Sequence, residues 1–243
     1  MGEPAPYNRP VAWPPNAVIF DLDGTLFDHR RSATGAVTAW LSELGAVADD
    51  HLLTRWFALE DRHFVTWSTG GIDFVEQRRR RLSDFLPLIG VEWEGPEELD
   101  GLFRHYLVHY EQAWTGFDDA GAAVAAVEHA GLASAILTNG RVDMQTAKVE
   151  AIGLAGRLGE VFTAEGLGTA KPEAAAYLAV CRSLGFPPGQ VLHIGDRYDH
   201  DVQAARAAGL AAVHLDRIGA GPHDEPHRLT SLTQLGDYLE RAG

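Results

Sequence analysis

The stretch VIFDLDGTLFD, residues 18–28, begins as an apolar run and ends among three acids, Asp21, Asp23 and Asp28. Consecutive Val, Ile and Phe suit a strand buried on both faces. Carboxylates two residues apart repel each other, and burying them without partners is costly. A chain that ends a buried strand this way needs something nearby to offset the charge.

Working outward, short apolar runs recur at AVIFD (17–21), ASAILTN (133–139), VFTAE (161–165), VLHIGD (191–196) and AAVHLD (211–216). Helical patterns alternate with them at roughly 118–130, 142–152, 172–184, 199–208 and 231–240. Pro172 reads as a helix start, and Gly209-Leu210 as a stop. Strands alternating with helices predict an α/β fold, a Rossmann-like doubly wound parallel sheet with both faces covered.

One gap breaks the alternation. Residues 31–115 hold no convincing strand and most of the six tryptophans. They read as four helices, SATGAVTAWLSELG, HLLTRWFALEDRHFVTW, DFVEQRRRRLSDFLPLIG and PEELDGLFRHYLVHYEQAW. A structureless loop of that length would be implausible. The expected organisation is a core of residues 1–30 and 116–243 and a helical insert at 31–115 with its own small core.

Composition bounds the function. The 243 residues are 46% hydrophobic and 22% charged, with a net charge of −14. Such acidity argues against nucleic acid or an anionic membrane as partner. No run approaches the ~20 apolar residues of a membrane span. The start, MGEPAPYNRPVAWPP, lacks a signal-peptide pattern, and Pro6 stands where a myristoylation motif wants Ser or Thr. Its prolines suggest an extended lead-in, partly ordered by Trp13. The single cysteine, Cys181, lies in an apolar helical pattern and reads as a small buried hydrophobe rather than a catalytic thiol. One cysteine allows no disulfide within the chain, so a reducing cytoplasm is expected.

Ligands of open parallel sheets sit beyond the carboxyl ends of the strands. The first strand ends in Asp21-Leu22-Asp23-Gly24-Thr25 and the second in Thr138-Asn139-Gly140. The third leads through a glycine-containing loop to Lys171-Pro172. The fourth ends in Gly195-Asp196-Arg197-Tyr198-Asp199-His200-Asp201. Acids, a hydroxyl and a lysine thus share one rim.

Taken in order, DLDGT, ILTN, AKPE and GDRYDHD resemble the four motifs of the haloacid dehalogenase superfamily, whose members are mostly phosphohydrolases. The resemblance spans the whole core, and the insert resembles that family's helical cap. It implies a Mg2+-dependent phosphatase acting on a small phosphorylated metabolite. Asp21 would be the nucleophile, and Asp23 the acid that protonates the leaving oxygen and then the base that activates water. Thr138 and the backbone N–H groups of Asn139 and Gly140 would bind phosphoryl oxygens, and Lys171 would neutralise charge there. Magnesium would take Asp21, Asp196 and the backbone carbonyl of Asp23, with Asp201 or Asp199 holding its waters or orienting Lys171. The physics agrees: a carboxylate attacking a phosphoryl group is anion against anion, which a hard divalent cation relieves. Residues two apart in extended backbone share a side, so Asp21 and Asp23 can reach one substrate.

Each residue also has a plainer reading. Asp21, Asp23 and Asp196 could cap helices, Thr138 could be an ordinary strand residue, and Lys171 could be solvated. For Asp199 the cap or solvated reading is at least as good as the functional one. Arg78 and Arg81 share a helix face that reads as solvated, with a reach to substrate as the alternative. His105 and His109 have the i, i+4 spacing of metal ligands but no acidic partner motif, and read as core or surface histidines. His214, His223 and His227 show no metal spacing, and Gly166-Leu167-Gly168 is a weak dinucleotide signal. Arg141, near the mouth, would favour substrates with a second anionic group. Asp28 reads as structural.

Dehalogenase chemistry is disfavoured because such members lack the second acid, here Asp23. A sugar mutase would want a histidine where Ala33 stands, and His29 comes too early. A non-catalytic role is disfavoured by the full set of Asp21, Asp23, Lys171 and Asp196. The substrate stays open among sugar phosphates, phosphoglycolate, acylneuraminate phosphate and nucleoside monophosphates, and a monomer or homodimer is expected.

Overall fold

The computed structural model of the protein describes residues 14–68 and 70–241. The proline-rich lead-in and Trp13 lie outside the described residues. The chain divides into two compact units, residues 14–28 with 115–241 and residues 29–114.

In the first unit six strands form one parallel sheet: β1 (Ala17–Phe20), β2 (Ala133–Thr138), β3 (Val161–Thr163), β4 (Val191–Gly195), β5 (Ala211–Leu215) and β6 (Arg228–Leu229). Their order is β3-β2-β1-β4-β5-β6. The order reverses beside β1, which pairs with β2 through Ala17↔Ala133 and with β4 through Ala17↔Val191. That reversal is the switch point at which doubly wound sheets bind ligands. All four residues of β1 are fully buried, as the apolar run requires. Ala17 and Ile19 face a cluster that includes Leu137, Tyr177, Val180 and Cys181. Burial pushes the Cys181 thiol up to about 11, so it packs as a hydrophobe.

The connecting helices are α5 (Ala120–His129), α6 (Val142–Ala151), α7 (Ala164–Leu167), α8 (Ala174–Leu184), α9 (Ala204–Ala207) and α10 (Leu235–Arg241). Three stretches differ from the sequence reading. The third strand stops at Thr163, whose hydroxyl accepts from the Gly166 amide and caps α7; that helix takes in Gly166 and Leu167 and ends at Gly168. Pro172 does not open a helix; the Lys171–Pro172 peptide is cis, and α8 begins at Ala174. The predicted helix over 199–208 is a π-helical turn, Tyr198–Gln203, running into α9. The two-residue β6 has no apolar run to announce it.

The second unit is built from α1 (His29–Glu43), α2 (Asp50–Ser68), α3 (Phe74–Phe85) and α4 (Pro96–Gln112). Asp73 caps α3 through the amides of Val75 and Glu76. Its core is aromatic: Trp40, Trp56, Phe85 and Tyr106 are buried, with the Trp56 ring 4.7 Å from Tyr106 and 5.0 Å from Phe85. Arg81 is no solvated cation. It is buried, 4.0 Å over the Trp56 ring and 2.8 Å from Glu60. Arg78 lies over Phe74 and Phe103, and Arg79 pairs with Asp100 at 2.6 Å. Apolar stems and paired heads explain how four arginines sit on one helix.

Candidate active site

β1 ends at Phe20 and delivers Asp21 to the rim with 6% exposure. The Lys171 ammonium, also buried, is 2.6 Å from Asp21 Oδ1 and 2.6 Å from Asp201 Oδ1. The Thr25 hydroxyl donates to Asp21 Oδ2 at 3.0 Å. Lys171 is therefore no surface lysine. Its backbone is held by Asn139, whose side-chain amide donates to the Lys171 carbonyl at 2.8 Å and accepts from its N–H at 2.9 Å. Burial works against the Lys171 charge, but Asp201 and Asp21 outweigh it and hold the ammonium protonated above its ordinary range.

Two glycines make the cluster possible. Gly24 has φ of 91°, and a Cβ there would lie 2.3 Å from Asp196 Oδ2. A Cβ on Gly195 would lie 2.3 Å from Asp201 Cγ. The π-helical turn swings Asp201 inward, where its carboxylate accepts from the Arg197 amide at 2.9 Å. Behind it, fully buried His193 of β4 is 3.1 Å from Asp201 Oδ1.

One carboxylate oxygen from each of Asp21, Asp196 and Asp201 lies within 4.8 Å of the others. Burial pushes Asp21 up to about 7, against the pull of Lys171 and helped by Asp201. Burial, Asp21 and Asp201 likewise raise Asp196 well above the carboxylate range. Asp201 goes the other way: burial opposes its charge, but Lys171 and His193 win and lower it. Asp196 Oδ1 is buried and, among the described residues, has no hydrogen-bond partner. Three converging carboxylates, one of them with an orphaned oxygen, are a donor set that fits a hard divalent cation, and Lys171 balances part of their charge.

Asp23 stands apart from that trio. Its Oδ1 accepts from Lys148 Nζ at 2.6 Å and its Oδ2 from Gln145 Nε2 at 2.8 Å. Gln145 also donates to the Thr138 hydroxyl at 2.5 Å, so Thr138, Gln145 and Asp23 are linked. Lys148 and Gln145 both belong to α6, and Lys148 lies over the Phe27 ring. Gly140 gives Gln145 room, since a Cβ there would be 2.9 Å from its Cγ. Sequence reasoning passed over Thr25, Gln145, Lys148 and His193. The available signal was the spacing of Gln145 and Lys148 on the helix that starts just after Thr138-Asn139-Gly140.

Other residues fall outside the cluster. Asp199 is exposed, paired with Arg197 at 3.3 Å and bonded to the His200 amide. Arg141 makes a bidentate pair with Asp143, so its charge is matched locally. His214 lies in β5, with Nε2 3.1 Å from the Asp196 carbonyl oxygen, and His227 meets Tyr238. The Asp28 amide donates to the Thr115 carbonyl where the chain leaves and rejoins the first unit.

The haloacid dehalogenase-like hydrolase family model matches residues 15–209. The chain is 35% identical over 124 residues to a phosphoserine phosphatase of Thermus thermophilus, a match covering 51% of this chain and about half, 49%, of that relative. It is 28% identical over 233 residues to phosphatase MT3486 of Mycobacterium tuberculosis, covering 94% and 98% of the two chains. The HAD-hydrolase YfnB of Bacillus subtilis, solved bound to magnesium, superposes with a TM-score of 0.80 at 20% identity, covering 92% of this chain and 98% of that one. Solved 2-haloacid dehalogenases share the fold as well. With the family match spanning most of its length, the chain belongs to the haloacid dehalogenase-like hydrolases.

Proposed function

We propose that the protein is a magnesium-dependent phosphatase that hydrolyses a small phosphorylated metabolite through an aspartyl-phosphate on Asp21. The observation that carries this reading is that two acids separated by one residue meet different neighbours. Asp21 is bound to Lys171 and Thr25 within a carboxylate trio, while Asp23 is bound to two nitrogen donors of α6 outside it. The relatives named as phosphatases support the same reading.

Asp21 attacks phosphorus, and the bond to the leaving oxygen breaks as Asp23 gives that oxygen a proton. Asp23 then takes a proton from water, which attacks the same phosphorus and frees Asp21 and inorganic phosphate. Lys171 offsets the charge at Asp21, and Thr138 with the N–H groups of Asn139 and Gly140 receives the phosphoryl oxygens. Asp21, Asp196, Asp201 and the Asp23 carbonyl would hold Mg2+ or its waters; when bound, the ion screens the anionic nucleophile from the anionic phosphoryl group. The helical unit takes the role of the cap that the family resemblance implies. A reducing cytoplasm fits the single buried Cys181, and a monomer or homodimer is our working state.

Phosphate release from an aryl phosphate tests this. Turnover should need Mg2+, stop with EDTA, and fall at least about a thousandfold in Asp21→Asn. Chelator-resistant halide release from a 2-haloacid, without phosphate release, would instead establish dehalogenase chemistry.

A further inference from the structure

Away from the strand ends, a second set of ligand-type side chains converges inside the helical unit. His105 and His109 stand one turn apart on α4, and Glu43 is the last residue of α1, which packs against α4. Nε2 of His105 is 2.8 Å from Glu43 Oε2, and Nε2 of His109 is 3.2 Å from the same oxygen. The two imidazole centres are 5.2 Å apart, and the three ligand atoms lie within 4.8 Å of one another. We propose that Glu43, His105 and His109 form a binding site for a divalent transition-metal ion of the zinc type.

The chemistry of the donors selects the ion. Two imidazoles and one carboxylate suit zinc and its neighbours, whereas magnesium prefers oxygen ligands alone. The i, i+4 spacing sets both rings on one helix face, and α1 brings the carboxylate that the local sequence lacks. With zinc–ligand bonds of about 2.0–2.2 Å, two corners of a tetrahedron are roughly 3.3–3.5 Å apart. The Glu43–His109 separation of 3.2 Å is close to that edge, and the Glu43–His105 separation of 2.8 Å lengthens to it with a small rotation of two exposed side chains.

Alignment supports the same arrangement. His109 Nε2 is shut off from solvent yet makes no aligned hydrogen bond to Glu43 at that distance. A ring nitrogen that points beside a carboxylate oxygen is placed as a fellow ligand of a common centre rather than as a donor to that oxygen. His109 is only 12% exposed and anchors the site, while His105 and Glu43 are about half exposed and leave solvent access for a water in the fourth position. A bound ion would tie the end of α1 to the C-terminal half of α4.

The test uses the full chain, stripped with chelator and then kept in excess Mg2+ so that the strand-end carboxylates are not the sites reporting. Calorimetric titration with Zn2+ should show one equivalent bound, with a matching rise in Tm. His105→Ala and Glu43→Gln, both at exposed positions, should each weaken that binding by about tenfold or more, while Asp196→Asn leaves it unchanged. Unshifted metal-free melting of the two variants checks that they fold. No zinc uptake by the native chain, or uptake that survives both substitutions, or uptake lost in Asp196→Asn, would overturn the proposal. Because Asp196→Asn is the control, a failure here is separable from a failure of the phosphatase reading.

Discussion

Leu22 alone separates Asp21 from Asp23, yet the two acids meet different neighbours. Asp21 meets Lys171 and other carboxylates, and Asp23 meets Lys148 and Gln145. The donors on both oxygens of Asp23 hold its carboxylate in one orientation, and under the proposed mechanism that orientation sets the direction of proton exchange. Lys148→Met should therefore lower kcat about 10- to 100-fold with KM little changed, and steady-state kinetics on an alkyl phosphate measures it. An aryl phosphate, whose leaving oxygen needs less protonation, should be affected less. Equal losses on both substrates would mean that Lys148 only supports the fold. Lys171 is the harsher case, because Asp21 and Asp201 both lean on it. Lys171→Met leaves buried like charges uncompensated and should cost about 3–5 kcal/mol, read by urea unfolding of the metal-free chain. The acids and Lys171 were legible in the sequence because each ends a strand or its loop. Gln145 and Lys148 were not, because a helix face is legible only once its partner is known.

At the scale of elements, the helical unit rests on a polar group as well as on its aromatic core. Burial opposes the Glu60 charge, but Arg81 and His29 outweigh it and hold Glu60 down to about 2. The sign follows. A carboxylate depressed from 4.5 contributes stability that is complete above that value and is lost as pH falls toward 2. Glu60→Gln should then destabilise the chain by roughly 3 kcal/mol at pH 7 and by about half that at pH 3. Urea melts of both proteins at the two pH values decide it, and an equal gap at both would reject the pairing. Helices α1 to α4 follow from amphipathic pattern, but the fate of Arg78 to Arg81 does not. Whether an arginine on a helix face is solvated or buried depends on the Trp and Glu that another helix brings to it. The same holds for Glu43, which comes from a different helix to meet His105 and His109. Local chemistry also displaced two expected boundaries, the Thr163 cap ending β3 early and the π-turn replacing the start of a helix.

For the whole molecule, the parallel sheet was legible because alternating strands and helices admit few other arrangements. β6 escaped notice because two residues, Arg228 and Leu229, carry no period. Among the described residues no helix is long and apolar enough to cross a membrane. The net charge of −14 makes an added cation favourable. Mg2+ at a hundred times its dissociation constant should stabilise the native chain by about 2.7 kcal/mol. Thermal melts with and without the ion check this, and the gain should vanish in Asp196→Asn.

The central position of β1 also bears on how the chain is made. Its neighbours in the sheet begin at Ala133 and Val191, so at about 5–20 residues per second the ribosome needs roughly 10–35 s to supply both. Val18, Ile19 and Phe20 have no strand partner until β2 is made and only one until β4 follows, while α1 to α4 can already condense on one another. The strand that delivers Asp21 thus waits exposed during synthesis, and chaperone contact should concentrate there.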